Sequence, residues 1–386
     1  MENNNSQKYA DVSVVSCPEY THEAARKALC EALDAIGGLD FVKLGMKIVI
    51  KANLVSAKNP DSATTTHPIL VAELIKLLKE RGAQSVVVGD SPGGLYNAIN
   101  LNRIYTATGM KLCEEYGGTL NNDFSITDSI CEGGKALHQF KYTSYLKNAD
   151  AIIDFAKLKT HGMMVMTGAI KNFFGSVPGA TKPEYHSRFP QIESFADMLI
   201  DLYEYFKPKL SIIDAVYGME GNGPTAGTPR YIGAVIASKN GHYADMAGAA
   251  IMGISLEKLP LYNRAKLRGL CPDSISDLNI YGNTQDFFIS DYKLIQNASS
   301  DFGVVVPKPL AWLSDKVFRT RPVLSKKKCI GCKICFNTCP KGAITMKNNK
   351  PSFDYNKCIR CFCCQEFCPK GALRVHRTII AKIINK

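Results

Sequence analysis

Short apolar runs alternate with amphipathic stretches along most of the chain. Apolar runs typical of buried strands lie at residues 12–15, 47–50, 85–88, 151–155, 210–213, 232–237 and 278–281. Helical spacing of apolar positions occurs at residues 21–36, 68–81, 102–116 and 194–206. Because strands and helices alternate, the pattern predicts a large α/β domain with a mainly parallel sheet over residues 1–305.

The composition changes after this domain. Residues 306–327 contain three prolines and are predicted to form a linker, and residues 328–375 form a small second domain. Residues 376–386 are a basic, partly apolar tail. We expect the tail to dock as a helix on the domain surface, and a helix lying on a membrane surface is the alternative.

Cysteines dominate the small domain. Nine of the 14 cysteines lie between Cys329 and Cys368, in two copies of C-x2-C-x2-C-x3-C-P offset by 29 residues. In this pattern three thiolates wrap three irons of one 4Fe–4S cubane, and the proline turns the chain so that the fourth cysteine reaches the other cubane. The predicted ligands are Cys329, Cys332, Cys335 and Cys368 for the first cluster, and Cys358, Cys361, Cys364 and Cys339 for the second.

A structural zinc site is the alternative for such cysteines. It normally needs four ligands in two pairs, whereas this duplicated pattern supplies eight. The pattern resembles the two-cluster ferredoxins of anaerobes, which implies a small α+β ferredoxin-like domain that moves single electrons at low potential. Cys363 adjoins the ligand Cys364, and neighbouring side chains point in different directions. We therefore expect Cys363 to be a bystander thiol, with a redox or alternative-ligand role as the second hypothesis.

The basic charge is concentrated around the cysteine motifs. Residues 326–386 hold 14 Lys and Arg against two acidic residues, which leaves 33 of the 47 basic and 33 of the 35 acidic residues for the first 325. A basic surface around redox centres steers acidic partners, so an acidic carrier, a ferredoxin or a flavodoxin, is the predicted electron partner. The alternative is that these lysines only offset the negative charge of the clusters themselves. Nucleic acid is not predicted, because no nucleic-acid motif accompanies the charge. No apolar run predicts a membrane span and no secretory signal is visible, so the expected location is cytoplasmic.

Polar residues in the large domain follow the ends of the predicted strands. They are Lys51 and Asn53, then Asp90, then Lys157, Lys159 and His161, and finally Asp214 and Glu220. In open parallel α/β sheets, ligands bind in the crevice at the carboxyl ends of the strands. The residues therefore predict one polar site. A dinucleotide loop is not supported, because the glycine-rich run 218–224 leads into a strand rather than a helix, and no G-x4-G-K-[ST] motif is present.

Several stretches resemble the domain-of-unknown-function family numbered 362. They are Lys51-Ala-Asn53, Thr64-Thr-Thr-His67-Pro68, Lys157-Leu-Lys-Thr-His161, Thr167 to Gly175 with Lys171 and Asn172, and Asp214 with the run Met219 to Pro224. The family is often fused to a two-cluster ferredoxin module in anaerobic bacteria and archaea. The resemblance implies this architecture without a settled reaction. A more distant resemblance, to nickel-dependent lactate racemase, is confined to the loops that carry Lys and His.

The candidate site is rich in potential cations, which suit an anionic ligand such as a carboxylate, a phosphate or an acyl thioester. His161, or a lysine desolvated by burial, is a candidate proton donor to a carbanion formed by two one-electron reductions. Asp214 and Glu220 are expected to orient such bases or to hold a metal. The candidate catalytic residues are Lys159, His161, Lys171, Asp214 and Glu220, and the candidate substrate- or cofactor-binding residues are Lys51, Asn53, His67, Asp90, Asn172 and His186.

Two classes of function fit these features. The first is an iron–sulfur oxidoreductase that passes electrons through two clusters to a small anionic substrate or cofactor in the α/β domain. The second is a non-catalytic electron carrier or maturation protein whose large domain only docks partners. An unidentified organic cofactor such as flavin is a third option, because flavin sites have no reliable short signature. The size of the large domain and its convergent polar loops favour the oxidoreductase.

Overall fold

The computed structural model describes residues 9–295 and 321–376. Most of the predicted linker and all but the first residue of the predicted tail lie outside these ranges. The strands of the large domain are β1 Val12–Ser16, β2 Lys47–Ala52, β3 Ser85–Gly89, β4 Thr119–Leu120, β5 Ile126–Ile130, β6 Gln139–Thr143, β7 Ala151–His161, β8 Val165–Thr167, β9 Leu210–Glu220, β10 Thr228–Ser238 and β11 Ile280–Gly282.

The helices of the same domain connect these strands. They are α1 His22–Ile36, α2 Pro68–Glu80, α3 Ala98–Ala107, α4 Leu112–Glu115, α5 Ala169–Asn172, α6 Lys182–Arg188, α7 Ile192–Phe206, α8 Gly241–Ile251 and α9 Pro260–Leu267. Local signals set several boundaries. The side chain of Thr21 caps the start of α1, and Gly37 adopts a left-handed conformation with φ of 58° at its end. Pro68 occupies the first turn of α2.

One sheet forms the centre of the large domain. Its strand order is β11-β1-β10-β9-β7-β2-β3-β4, and β8 also pairs with β7. The central strands β9, β7, β2 and β3 run parallel to one another, whereas β10 is antiparallel to both of its neighbours. The predicted fold class, a mainly parallel α/β domain followed by a small domain with the cysteine motifs, is confirmed.

Helices cover both faces of the sheet. In β2 the side chains alternate, so that Ile48 and Ile50 pack into a core shared with α1 and α2 while Val49 faces the opposite side. On that opposite side, α7 contributes Phe195 and Leu199, and α8 packs against β9 and β10. Because both faces are buried, the central strands are apolar along most of their length.

The sequence-based elements differ from the structure in five places. The single helix predicted at 102–116 is two helices, α3 and α4, because Gly109 adopts φ of 69° between them. The strands predicted to end at 155 and 213 continue to His161 and Glu220. Lys157, Lys159, His161, Asp214 and Glu220 therefore lie within strands rather than in the loops after them. The hairpin β5–β6 and the short strand β8 were not predicted.

The small domain consists of two copies of one structural unit. Its strands are β12 Arg321–Leu324, β13 Ile344–Lys347, β14 Lys350–Phe353 and β15 Leu373–His376, and its helices are α10 Ile334–Asn337 and α11 Cys363–Glu366. Every element of the first half recurs 29 residues later, which matches the offset of the cysteine motifs. Lys333 and Phe362, which correspond in the repeat, both adopt left-handed φ, near 62° and 60°. Among the helices of residues 9–295 and 321–376, none has both the length and the apolar composition of a membrane span.

Candidate functional site

Strand β7 carries the basic residues of the site inside the sheet. All 11 of its residues are buried, including Lys157, Lys159 and His161. The strand continues beyond Phe155 because β8 pairs with it, placing Thr167 opposite Lys159 and Val165 opposite His161. Charged side chains that are buried in a strand need partners or a ligand, since their desolvation is costly.

The carboxyl edge of the sheet borders a cleft that the small domain closes. The cleft encloses about 650 Å³, with the open solvent at its mouth included. Its polar wall on the α/β side includes Asn53, Lys159, Lys171, Asn172, Lys182 and His186. Glu366 and Phe367, which lie between the cysteines Cys364 and Cys368, form the opposite wall. The cleft is therefore a space between the cation-rich sheet edge and the second cysteine motif.

Lys159 is held at one side of the cleft by two oxygen acceptors. Its ammonium donates to Asn53 Oδ1 at 2.7 Å and to the Thr64 carbonyl at 2.8 Å. Burial, together with repulsion from Lys171 and Lys157, lowers the pKa of Lys159 to about 7. A lysine in this state exchanges a proton near neutral pH, as a general acid or base must.

A buried network fixes the floor of the cleft. Lys51 pairs with Asp90 at 2.8 Å, and Asp90 also accepts the backbone N–H of Leu54 at 2.6 Å. Asn172 donates to Asp154 at 2.7 Å and accepts from Asn53 at 2.9 Å. Burial raises the pKa of Asp154 well above its usual value, which favours the neutral acid. Lys51, Asp90 and Asn172 are thus occupied by protein partners and position Asn53, which in turn holds Lys159.

His161 meets a carboxylate from the small domain. Its Nε2 atom lies 2.7 Å from Glu366 Oε1, and the His161 side chain is fully buried. The backbone N–H groups of Met163 and Met164 both donate to His161 Nδ1 at 3.0 Å. Because Nδ1 must therefore be an acceptor, we assign the ring proton to Nε2, where it faces Glu366. Burial, reinforced by the positive charge of Lys171, lowers the pKa of His161 to about 4, so the ring is neutral at physiological pH.

Glu366 is ionised in spite of its burial. Desolvation pushes its pKa upwards, but the combined influence of His161, Lys171 and His186 holds the pKa well below its usual range. The structure therefore places one fixed negative charge among the cations of the cleft.

Three further basic residues face the cleft. Within residues 9–295 and 321–376, the Lys171 ammonium has no hydrogen-bond or ion-pair acceptor, and it lies 5.7 Å from the centre of the Phe174 ring. Lys182 donates to the Ser91 carbonyl, and burial lowers its pKa to about 8. His186 stacks on Phe195, its Nδ1 has no partner in the described part of the chain, and burial lowers its pKa to about 3. Lys171 and His186 therefore have unused hydrogen-bonding capacity toward a ligand.

Other predicted site residues lie apart from the cleft. Lys157 pairs with Asp214 at 2.8 Å, and Tyr20 bonds to both of them, at 2.6 and 2.8 Å. His67 stacks on Tyr20 with ring centres 3.6 Å apart, and its backbone N–H donates to Asp214. The charged groups of this buried cluster, Lys157 and Asp214, are therefore paired with each other. Glu220 binds the backbone N–H of Lys293 at 3.2 Å and pairs with its ammonium at 3.3 Å, away from the cleft.

Hydrogen bonds attach the second cysteine motif to the α/β domain. Gln365 donates to the carbonyls of Asn222 and Gly223 at 3.1 and 3.0 Å, and Thr225 donates to the carbonyl of Glu366 at 3.0 Å. Asn222 also bonds to strand β15 through the Leu373 carbonyl. The glycine-rich run that resembled a nucleotide loop is thus part of the contact between the two domains.

The cysteines line two separate cavities. Each cavity is lined by three cysteines of one motif and by the fourth cysteine of the other motif. The first measures about 380 Å³ and is lined by Cys329, Cys332, Cys335 and Cys368 among other residues, and the second measures about 350 Å³ and is lined in the same way by Cys339, Cys358, Cys361 and Cys364, with the open solvent at their mouths included. Backbone N–H groups donate to the sulfurs of Cys339 and Cys368 at 3.2 Å, as suits thiolate ligands. This arrangement fits two cubanes with exchanged fourth ligands. Cys363 adjoins the second cavity and is 1% exposed.

Sequence reasoning missed three residues of the cleft, Lys182, Glu366 and Phe367. Lys182 begins a short helix, where a lysine is typical of a solvated surface. Glu366 and Phe367 lie between two cysteine ligands and carry no signal of contact with another domain. The position of Glu366 is nevertheless unusual in composition, because it is one of two acidic residues among the 14 basic ones of residues 326–386.

The fold and the two cysteine-lined cavities define an α/β protein with an iron–sulfur cluster-binding module. Residues 48–250 match the family model described as Domain of unknown function (DUF362), and residues 321–369 match that of the 4Fe-4S dicluster domain. The chain belongs to the DUF362 family, as its motifs predicted. A thylakoid-associated protein of Synechocystis sp. is 28% identical over 290 residues, which are 73% of this chain and 87% of that protein.

Two solved structures match parts of the chain at low similarity. The lactate racemase apoprotein from Thermoanaerobacterium thermosaccharolyticum has 12% identity and a TM-score of 0.40, over 65% of this chain and 59% of that one. A protein from Thermotoga maritima has 13% identity and a TM-score of 0.35, over 59% of this chain and 57% of that one. The chain thus spans less than two thirds of the length of either.

Proposed function

We propose that this protein is an iron–sulfur oxidoreductase that reduces a small anionic substrate or cofactor bound in the cleft. The observation that carries the proposal is the position of the second cysteine motif, whose residues Glu366 and Phe367 form one wall of a cleft lined by cations. When bound, the two 4Fe–4S clusters supply single electrons at low potential. Cys358, Cys361, Cys364 and Cys339 would hold one of them beside the cleft.

One unpaired cation and one unpaired imidazole nitrogen support an anionic ligand. The Lys171 ammonium and His186 Nδ1 both lack partners within residues 9–295 and 321–376, and both residues line the cleft. His186 is buried and Lys171 is partly exposed at the cleft. A buried polar group is costly to leave unpaired, so these two side chains suit a ligand that supplies polar partners. A carboxylate or a phosphate has the acceptor oxygens that a lysine ammonium binds. Lys171 is therefore assigned to hold the ligand anion.

Lys159 is the proposed proton donor. Its pKa of about 7 allows it to give a proton to a reduced ligand and to regain one from solvent at neutral pH. His161 is neutral and its Nε2 atom lies 2.7 Å from Glu366 Oε1, which makes it a positioning residue for the wall that faces the ligand. Asp214 and Glu220 are paired elsewhere and receive no role in this proposal.

Analysis of bound molecules after anaerobic purification tests the proposal. The protein and its Lys171→Ala variant are denatured in parallel, and the released small molecules are compared by mass spectrometry. Lys141→Ala is the matched control, because Lys141 is an exposed surface lysine paired with Asp128. We expect an anionic molecule to be released by the parent and by the control but to be depleted in Lys171→Ala.

The alternative functions give different outcomes in the same experiment. A non-catalytic carrier or maturation protein would release the same molecules from all three proteins, or none, and that result would refute the proposed cleft. Release of a flavin or another organic cofactor, dependent on Lys171, would place the cofactor rather than the substrate in the cleft.

A further inference from the structure

The duplicated cysteine domain has two equivalent faces, and within residues 9–295 and 321–376 only one of them is covered by the α/β domain. Cys363 and Gln365 of α11 are 1% and 0% exposed, because this helix packs against the sheet edge and the glycine-rich run. The equivalent positions of α10, 29 residues earlier, are Ile334 and Phe336, which are 36% and 44% exposed. The uncovered face is thus the repeat-related equivalent of the face that packs against the α/β domain.

The uncovered face is apolar at its centre and basic at its rim. Ile330 is 60% exposed and adjoins the cavity bounded by Cys329 and Cys332, together with Lys333 and Ile334. Lys333 lines the same cavity, and the exposed lysines at positions 326, 327 and 328 come directly before Cys329 in the chain. Apolar groups with a charged rim are typical of interaction sites, and a rim of one sign favours a partner of the opposite sign.

Both acidic residues of the module leave this positive field intact. Glu366 points into the cleft, and Asp354 lies in the second half of the repeat, directly after β14. The α/β domain has equal numbers of basic and acidic residues before position 326 and does not cancel the charge. An oxidised cubane with its four thiolates carries a charge of about −2, which is less than the positive charge of the four exposed lysines at positions 326, 327, 328 and 333. The surface around the first cysteine motif therefore keeps a net positive charge.

We propose that this face, centred on Ile330, Ile334 and Phe336 with its lysine rim, docks a small acidic electron-transfer protein of the ferredoxin or flavodoxin class. Docking there places the carrier next to the cysteines of the first motif, whereas the second motif faces the cleft. In each encounter the carrier is oxidised by one electron and the iron–sulfur site of the first motif is reduced by one. This assignment rests on the proposed function for its direction of electron flow, but the docking itself does not.

Binding of an oxidised acidic ferredoxin to the intact anaerobic protein tests the assignment without turnover. The charge-reversal variant Lys327→Glu/Lys328→Glu is compared with Lys27→Glu/Lys111→Glu, which makes the same change of charge on exposed positions of the α/β domain. At low ionic strength we expect the first variant to bind roughly tenfold more weakly or worse, and the difference to shrink near 0.5 M salt, where charges are screened within a few Å. The control pair should stay within about twofold of the parent on the same electrostatic grounds.

A second variant separates the apolar contact from the charge. Phe336→Ser should weaken binding about fivefold at both low and high salt, since it removes roughly 1 kcal/mol of apolar burial. Iron content and the paramagnetic resonance signals of the reduced clusters should equal those of the parent in every variant, which excludes misfolding. Reduction by methyl viologen radical, a small cation, should not be slowed in the lysine variants.

Three outcomes would overturn the assignment. Equal loss of binding in the two charge-reversal pairs would show attraction by net charge without a docking face. Unchanged binding in Phe336→Ser and in Lys327→Glu/Lys328→Glu would place the partner elsewhere. Conversion of a dimer to a monomer by Phe336→Ser would assign the face to a second copy of this chain. Because Lys171→Ala should still bind ferredoxin normally, failure of the docking face and failure of the cleft remain distinguishable.

Discussion

Lys159 should titrate near neutral pH, far below an ordinary lysine. Its side chain is 1% exposed, and Lys171 and Lys157 add positive charge nearby, so the pKa falls from 10.5 to about 7. At 1.36 kcal/mol for each tenfold change in the proton equilibrium, this corresponds to about 5 kcal/mol against the ammonium. The ammonium therefore predominates below pH 7 and the neutral amine above it.

Carbon-13 NMR of protein labelled at lysine Cε measures this equilibrium directly in the anaerobic, oxidised state. We expect one Cε resonance with a midpoint near pH 7 that is missing in Lys159→Met and present in the control Lys141→Met. A second midpoint near pH 8 should disappear in Lys182→Met, because burial also lowers the pKa of that lysine. Lys171→Met should raise the midpoint of Lys159, since it removes a neighbouring positive charge.

The reasoning would be refuted if no lysine Cε resonance titrated below about pH 9. That result would mean that solvent reaches Lys159 and stabilises its ammonium as it does in an exposed lysine. A midpoint that is insensitive to Lys171→Met would contradict the electrostatic part of the explanation. Either result would also remove Lys159 from the role of proton donor.

Three further predictions concern the clusters and the wall of the cleft. Cys339→Ser should reduce the iron content from about eight to about four atoms per chain and remove the paramagnetic resonance signal of the cluster at the second motif, because the fourth ligands are exchanged. Loss of the signal of the first-motif cluster alone would disprove the exchange. Cys363→Ser should leave the signals of both clusters intact. Lys171→Ala and His161→Ala should keep the parent's iron content but lose turnover or ligand binding, and parent-like behaviour with the identified ligand would show that the cleft is misassigned. Glu366→Ala should lower the free energy of unfolding of the anaerobic protein by about 1–3 kcal/mol, measured by thermal unfolding, because the carboxylate oxygen 2.7 Å from His161 Nε2 is removed. Glu366→Gln keeps an oxygen at this position and should lose less stability. Equal losses of stability in the two variants would count against the assignment of the ring proton to His161 Nε2.

The strand and helix pattern was predictable where burial imposes a regular period. Strands β2 and β7 begin with apolar runs, and α2 has a proline at its start, so both kinds of element were found. The hairpin β5–β6 was missed because β5 is largely exposed and its sequence, Ile126-Thr-Asp-Ser-Ile130, carries little apolar signal. A strand that faces solvent on both sides leaves little periodicity to read.

The site was only partly predictable, for a different physical reason. Lys157 and Lys159 looked like loop residues because buried charges are rare in strands, and their partners are distant in sequence. Lys157 is paired with Asp214 and Lys159 with Asn53, contacts that span 57 and 106 residues. Glu366 could not be assigned at all, because its role depends on how the second cysteine motif packs against the sheet edge. Local spacing was enough to predict an iron–sulfur module, since the chemistry of a cubane fixes that spacing. The assignment of the individual cysteine ligands stays a prediction.

The most direct test of the account is reoxidation of the reduced protein by the molecule released from its cleft. Protein reduced with methyl viologen is mixed anaerobically with that molecule, and the visible absorption of the clusters is followed. The account predicts rapid reoxidation that consumes two electrons per molecule of ligand and is lost in Lys171→Ala, while reduction by viologen is equal in both proteins. Reoxidation at the same rate in the parent and in Lys171→Ala, or none in either, would contradict it.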